Sequence, residues 1–155
     1  MKNTAVLLAT LAVAFPALAQ SAGSATPTVH LTITGTITNF DEFAALVVPE
    51  TYVQLVPMSA DGRVGITTDD KGRFAYDSNL PKLPVPKKPA FAFDLPTIAP
   101  GKYFIAAQRL KAQGMSVGHN PVFTTSAKKQ FVVEVAADAK SPLAINAGDL
   151  MVWTH

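Results

Sequence analysis

With 155 residues, no cysteine, and 13 basic against 11 acidic side chains, the chain has the length of one domain that buries enough surface to fold without covalent staples. The missing cysteine excludes disulfides, thiolate metal sites and a lipid-modified N-terminal cysteine. Setting Lys2 aside with the leader leaves 12 basic against 11 acidic residues, a balance that gives no electrostatic footprint for nucleic acid or an anionic membrane.

In chain order, Lys2 precedes an apolar run over residues 5–15 that only Thr10 interrupts; Pro16 and the small-x-small triplet Ala17-Leu18-Ala19 follow. This is the pattern of a secretory signal peptide. Its apolar stretch is shorter than the roughly 20 residues a bilayer span needs. The expected organisation is therefore a signal peptide over residues 1–19, a loose polar leader over 20–27 and one domain over 28–155. The protein is expected in the periplasm or outside the cell, with no membrane span after cleavage.

From Thr28 the sequence alternates. Val29, Leu31, Ile33 and Ile37 share one face and His30, Thr32, Thr34 and Thr36 the other, the period of a half-buried strand. Gly35 falls on the core side, where a bulge or a close approach is expected. Asn39 before Phe40-Asp41-Glu42 suits the cap of a single helical turn, which Pro49 ends. Residues 51–58 form a second strand with Val53 and Leu55 inward and Tyr52 and Gln54 outward; Pro57 marks an edge or a bulge. After the turn Ser59-Ala60-Asp61-Gly62, two short β-prone runs flank Asp69-Asp70-Lys71-Gly72, a hairpin whose Gly72 supplies the positive φ of a tight turn.

Residues 79–89, with Pro81, Pro84, Pro86 and Pro89 among lysines, form a long surface loop, because proline offers no N–H to a ladder. Lys87-Lys88 and Lys128-Lys129 are pairs rather than patches, the ordinary dress of solvated loops. Phe91, Phe93 and Leu95 resume period two. Pro100-Gly101 makes a turn, and residues 103–108 form a strong strand. A second long loop over 109–121 holds Gly114, Met115, Gly118, His119 and Asn120. Strands follow near Val122 and Phe123 and over 130–136 with Glu134 outward; Leu143, Ile145 and Ala147 then alternate again, and the run over 150–153 comes last. Seven or eight short strands with no confident helix define an all-β domain, expected as a single antiparallel β-sandwich of about seven strands.

Read in order, Ile33-Thr34-Gly35-Thr36-Ile37, Val53-Gln54-Leu55, Thr68-Asp69-Asp70-Lys71-Gly72-Arg73-Phe74 and Pro100-Gly101-Lys102-Tyr103 resemble a carboxypeptidase regulatory-like domain. That is the transthyretin-like sandwich group, which includes collagen-adhesin B-type repeats; the resemblance spans about residues 29–135. It implies a non-catalytic module that acts as a spacer, folding aid or binding accessory on exported proteins. An enzymatic relative, the hydroxyisourate hydrolase, carries a Tyr-Arg-Gly-Ser tail, whereas this chain ends Met151-Val152-Trp153-Thr154-His155. The Lys–Asn cross-link of the adhesin repeats has no lysine to use in residues 29–38.

No catalytic, cofactor-binding or metal-ligating residue is assigned, and no cofactor. His30 reads as an exposed strand residue. Met115 and His119, with Met58, Met151 and His155, are the weighed copper set, against the commoner use of Met as core filler. Asp61, Asp69 and Asp70 are the weighed calcium set, against aspartates that bond their own turns. Tyr52 and Trp153 are the aromatic platforms available to a carbohydrate. The function expected is an exported, non-enzymatic structural or binding module. It would meet an unknown protein or carbohydrate through the loops 79–89 and 109–121 or through a sheet edge. A periplasmic copper-binding protein and a small hydrolase of unrecognised type are the alternatives.

Overall fold

The computed structural model describes residues 26–68, 74–110 and 122–153. The proposed signal segment, the hairpin tip with Asp69, Asp70 and Gly72, the loop with Met115 and His119, and His155 lie outside the described residues. The domain is all-β. Its elements are β1 (Val29–Ile37), α1 (Phe40–Ala44), β2 (Tyr52–Met58), β3 (Ile66–Thr68), β4 (Phe74–Tyr76), β5 (Ala90–Ile98), β6 (Gly101–Gln108), β7 (Val122–Thr125), β8 (Val132–Val135) and β9 (Leu143–Trp153).

Seven strands form one curled sheet in the order β2-β6-β7-β9-β1-β5, with β8 also paired to β6; β3 and β4 make a separate hairpin. The antiparallel expectation needs one correction: β1 and β9 run parallel, from Leu31 opposite Leu143 to Ile37 opposite Leu150. Hairpin turns between sequence neighbours dictate antiparallel pairs. β1 and β9 are distant in sequence, so no turn constrains their direction.

Period two on β1 fixes its inner face as foreseen: Leu31, Ile33 and Ile37 are buried with Phe93, Leu95 and Ile98 of β5. Phe123 of β7 sits at the centre of a ring cluster, edge-on to Phe43 at 6.3 Å, Phe91 at 5.9 Å and Phe93 at 6.1 Å. Edge-to-face contacts of this kind favour the ring quadrupoles, and burying one such ring stabilises by about 2–3 kcal/mol.

Gly35 does both things expected of it. The β1–β9 register shifts between Thr34 and Thr36. A Cβ on Gly35 would also lie 2.8 Å from the Gly148 carbonyl oxygen and from the Phe91 ring. The compensating irregularity on β9 is a turn of its own: Gly148 has φ +64°, and its N–H donates to Asn146 Oδ1 at 3.0 Å.

Asn39 departs from its expected role. The helical turn α1 forms, but the Asn39 side chain caps nothing in it. Instead Nδ2 donates to the Val152 carbonyl at 3.0 Å and Oδ1 accepts from the Val152 N–H at 2.9 Å. A side-chain amide carries the same donor and acceptor as a peptide unit, so Asn39 pairs with β9 as a strand residue would.

The larger surprise is on β2 and β6. Tyr52 is partly exposed, but Gln54 is 3% exposed, not turned to solvent as alternation predicts. Val56, Phe104 and Ala106 are fully buried on that same face, beneath Val64 and Tyr76 of the β3–β4 region, with Tyr76 edge-on to Phe104 at 5.0 Å. The hairpin folds over the outer face, so this pair of strands is buried on both sides. Gln108, buried completely, donates from Nε2 to Gln54 Oε1 at 2.8 Å and accepts the Tyr76 N–H at 3.0 Å. Gln54 Nε2 then donates to the Leu80 carbonyl at 2.6 Å. Buried amides are tolerable because each finds a partner, and here the chain of bonds ties β2, β6, β4 and the following loop together.

Candidate functional site

The path β2-β6-β7-β9-β1-β5 ends in β2 and β5, and the outer edges of these two strands differ. On β2, Val53 exchanges both backbone bonds with Leu83, at 3.0 and 2.7 Å. In an antiparallel ladder the backbone faces alternate, so Val53, Leu55 and Pro57 turn outward while Gln54, Val56 and Met58 turn to β6. Val53 is paired, the Leu55 carbonyl accepts the Ser78 hydroxyl at 2.6 Å, and Pro57 has no N–H to leave open. Pro57 is tolerated for that reason: its missing donor falls on the edge. The loop over residues 79–89, expected as a candidate contact surface, is in part a cover. Its Leu83 is buried and seals β2.

On β5 the Pro89 carbonyl accepts the Ile37 N–H at 2.9 Å. The register is continuous from Thr36 opposite Ala90 to Leu31 opposite Leu95. Stepping by two, Phe91, Phe93 and Leu95 turn their backbone to β1, and Ala90, Ala92 and Asp94 turn theirs outward. No described strand pairs with that side. The edge thus offers three N–H and three C=O groups, bracketed by Pro89 and Pro96.

Beside this edge lies the pair that sequence reading missed. His30 Nε2 and Asp94 Oδ1 are 2.5 Å apart, and Thr32 Oγ1 donates to the same oxygen at 3.3 Å. The hydrogen bond from His30, with its charge and the Thr32 bond, holds the Asp94 carboxyl below the usual carboxylate range. His30 is half-exposed on the outer face, where alternation places it, but its partner is on another strand, and no local pattern announces it. The Ser141 hydroxyl is near but meets the His30 backbone N–H, at 3.0 Å, not its ring.

The remaining candidates separate. Asp61 bonds its own turn: it accepts the Ser59 hydroxyl and the Arg63 N–H, and Arg63 Nε lies 3.1 Å from its other oxygen. The Ser59 bond is the main cause of its lowered pKa. Met58 packs against the Val56–Phe104–Ala106 cluster as core filler. The Tyr52 ring carries Lys82 Nζ at 4.6 Å and Arg109 Cζ at 5.9 Å, and Trp153 carries Lys128 Nζ at 6.0 Å. Cations already stack on both proposed platforms. Glu134 points outward as foreseen and meets Lys102 at 3.7 Å. An open cleft of about 510 Å³ lies at the end of β1, lined among others by Thr36, Thr38, Asp41, Glu42 and Pro89. Among the described residues there is no group of three or more His, Cys, Asp or Glu placed to hold a metal, and no helix long and apolar enough to cross a membrane.

Comparison with family models, with curated proteins and with solved structures returned no match, so none of the three identifies a carboxypeptidase regulatory-like domain.

Proposed function

We propose that the chain is an exported, non-enzymatic β module that acts by contact, and that the outer edge of β5 is its working surface. The observation that carries this reading is the asymmetry of the sheet. One edge is closed by Leu83, Ser78 and Pro57, while no described strand pairs with the outward backbone of Ala90, Ala92 and Asp94 on the other. An open strand edge is a template that an extended segment can join by main-chain hydrogen bonds. Small side chains at Ala90 and Ala92 leave such a segment room on the outer face. This is the kind of accessory role that the carboxypeptidase regulatory-like resemblance implies.

The test is capture of partners from the protein's own exported fraction by wild type and by Ala92→Pro. Proline at position 92 removes an outward N–H and leaves the bonds to β1 in place. Loss of every wild-type partner in the variant is the expected result; an unchanged partner set overturns the assignment of the edge. N-terminal sequencing of the same material, expected to begin at Gln20, tests export.

A further inference from the structure

We infer that the segment joining the β5 edge is the β5 edge of a second copy of this chain, paired antiparallel about a two-fold axis through Ala92. The inference rests on the reading of β5 as the working surface and names its occupant.

A strand edge can pair antiparallel with its own copy about a two-fold axis, and the register with β1 fixes which residues meet here. Only residues with outward backbone groups can pair across it, so Ala90, Ala92 and Asp94 must meet one another. An axis at Ala92 sets Ala92 against Ala92 and Ala90 against Asp94 of the second copy, and every outward N–H and C=O of the three residues finds a partner. An axis at Asp94 fails: it sets two carboxylates face to face and places Ala92 against a proline. Lys88 lies in the bend that leads into β5, and an axis at Ala92 brings that end of the edge beside Asp94 of the second copy. Both bonds that Asp94 makes to His30 and Thr32 fall on Oδ1, which leaves Oδ2 to meet the ammonium. The edge thus carries a base at one end and an acid at the other, the charge order that antiparallel self-pairing matches.

The prolines set the limit. Pro96 offers no N–H and the chain bends at Lys87–Pro89, before Ala90, so the ladder stops at three residues on each chain. Because β2 is closed, the far end of the β2-to-β5 path offers a third copy no matching edge. The assembly closes at two, as a two-fold interface should. A short ladder of this kind makes a weak, reversible dimer rather than an obligate one.

The experiment is sedimentation equilibrium of the full chain as isolated, from micromolar to millimolar concentration, with amide exchange read at Ala90, Ala92 and Asp94. The expected result is a concentration-dependent dimer in which these three amides gain protection as dimer forms. Ala92→Pro should weaken association about tenfold or more, since each copy loses a central donor. Lys88→Glu, which leaves every backbone bond intact, should weaken it most at low salt, where the charge contact is least screened. A monomer throughout, with these amides exchanging freely, overturns the second copy as occupant. If partner capture is then still lost in Ala92→Pro, the β5 reading stands with a different partner. A monomer with these amides protected also overturns it, since another segment of the same chain then covers the edge. A dimer indifferent to both variants overturns it by placing self-association on another face.

Discussion

The β2–β6 half and the β1–β5 half of the sheet are built from strands of similar length, yet one is sealed and the other open. On β2–β6 both faces are buried, and the outer edge is closed by a returning loop. On β1–β5 one face is buried, the other carries Thr32, Thr34, Ala92 and the His30–Asp94 pair, and no described strand pairs with the outer edge. What separates them is not strand propensity but the segments that return across them. The β3–β4 region packs Val64 and Tyr76 on the outer face of the first half, and the loop at Leu83 pairs with its edge.

This contrast can be broken from the sealed side first. Phe104→Ala empties the space beneath the hairpin and should cost about 3–5 kcal/mol in denaturant unfolding, as buried Phe truncations do. Thr34→Ala, on the open face, should stay within about 0.5 kcal/mol. Gln108→Leu keeps the volume but strands the Gln54 carbonyl oxygen and the Tyr76 N–H, for an expected loss of about 2–3 kcal/mol. An equal loss in Gln54→Leu, with little further loss in the double variant, would show that the two amides act as one unit. Leu83→Ala should cost about 2 kcal/mol. It should also speed amide exchange at Val53, so that the β2 edge comes to resemble that of β5.

The smallest effect sharpens the open side. The Asp94 carboxyl lies below its unfolded value because His30 bonds its charged form. Folding therefore favours the deprotonated group. Its contribution is present above the ordinary carboxylate pKa, about 3.9, and is lost as pH falls through the lower folded value. Melting curves of wild type and Asp94→Asn should differ by a small amount just above the ordinary carboxylate range and converge as pH falls below it. A difference that persists below both values would contradict the tie.

Much of this was legible in the chain. Alternation placed the inner faces of β1, β5 and β8, Pro57 marked an edge, and Gly35 marked a bulge and a close approach. What alternation cannot say is what covers the other face. It turned Gln54 to solvent because nothing local reveals Gln108 on β6 or the hairpin above it. A signal was present: Tyr103-Phe104-Ile105-Ala106-Ala107 is apolar without a break, the mark of a strand buried on both faces. Asn39 was read as a helix cap because its true partner, Val152, is 113 residues away. The β5 edge became visible only once the register with β1 fixed which residues turn their backbone outward.

The parallel pairing of β1 with β9 bears on the order in which the molecule assembles. β1 is made first and β9 last, and they are stitched side by side, with the Thr38 N–H donating to the Leu150 carbonyl at 2.8 Å. Until residues 143–150 emerge, β1 has only β5 to hold it. Contacts of such long sequence separation slow folding, because the loop must close before any bond repays it. The strand that starts the described sheet is thereby held on one side only until the strand that ends it is in place.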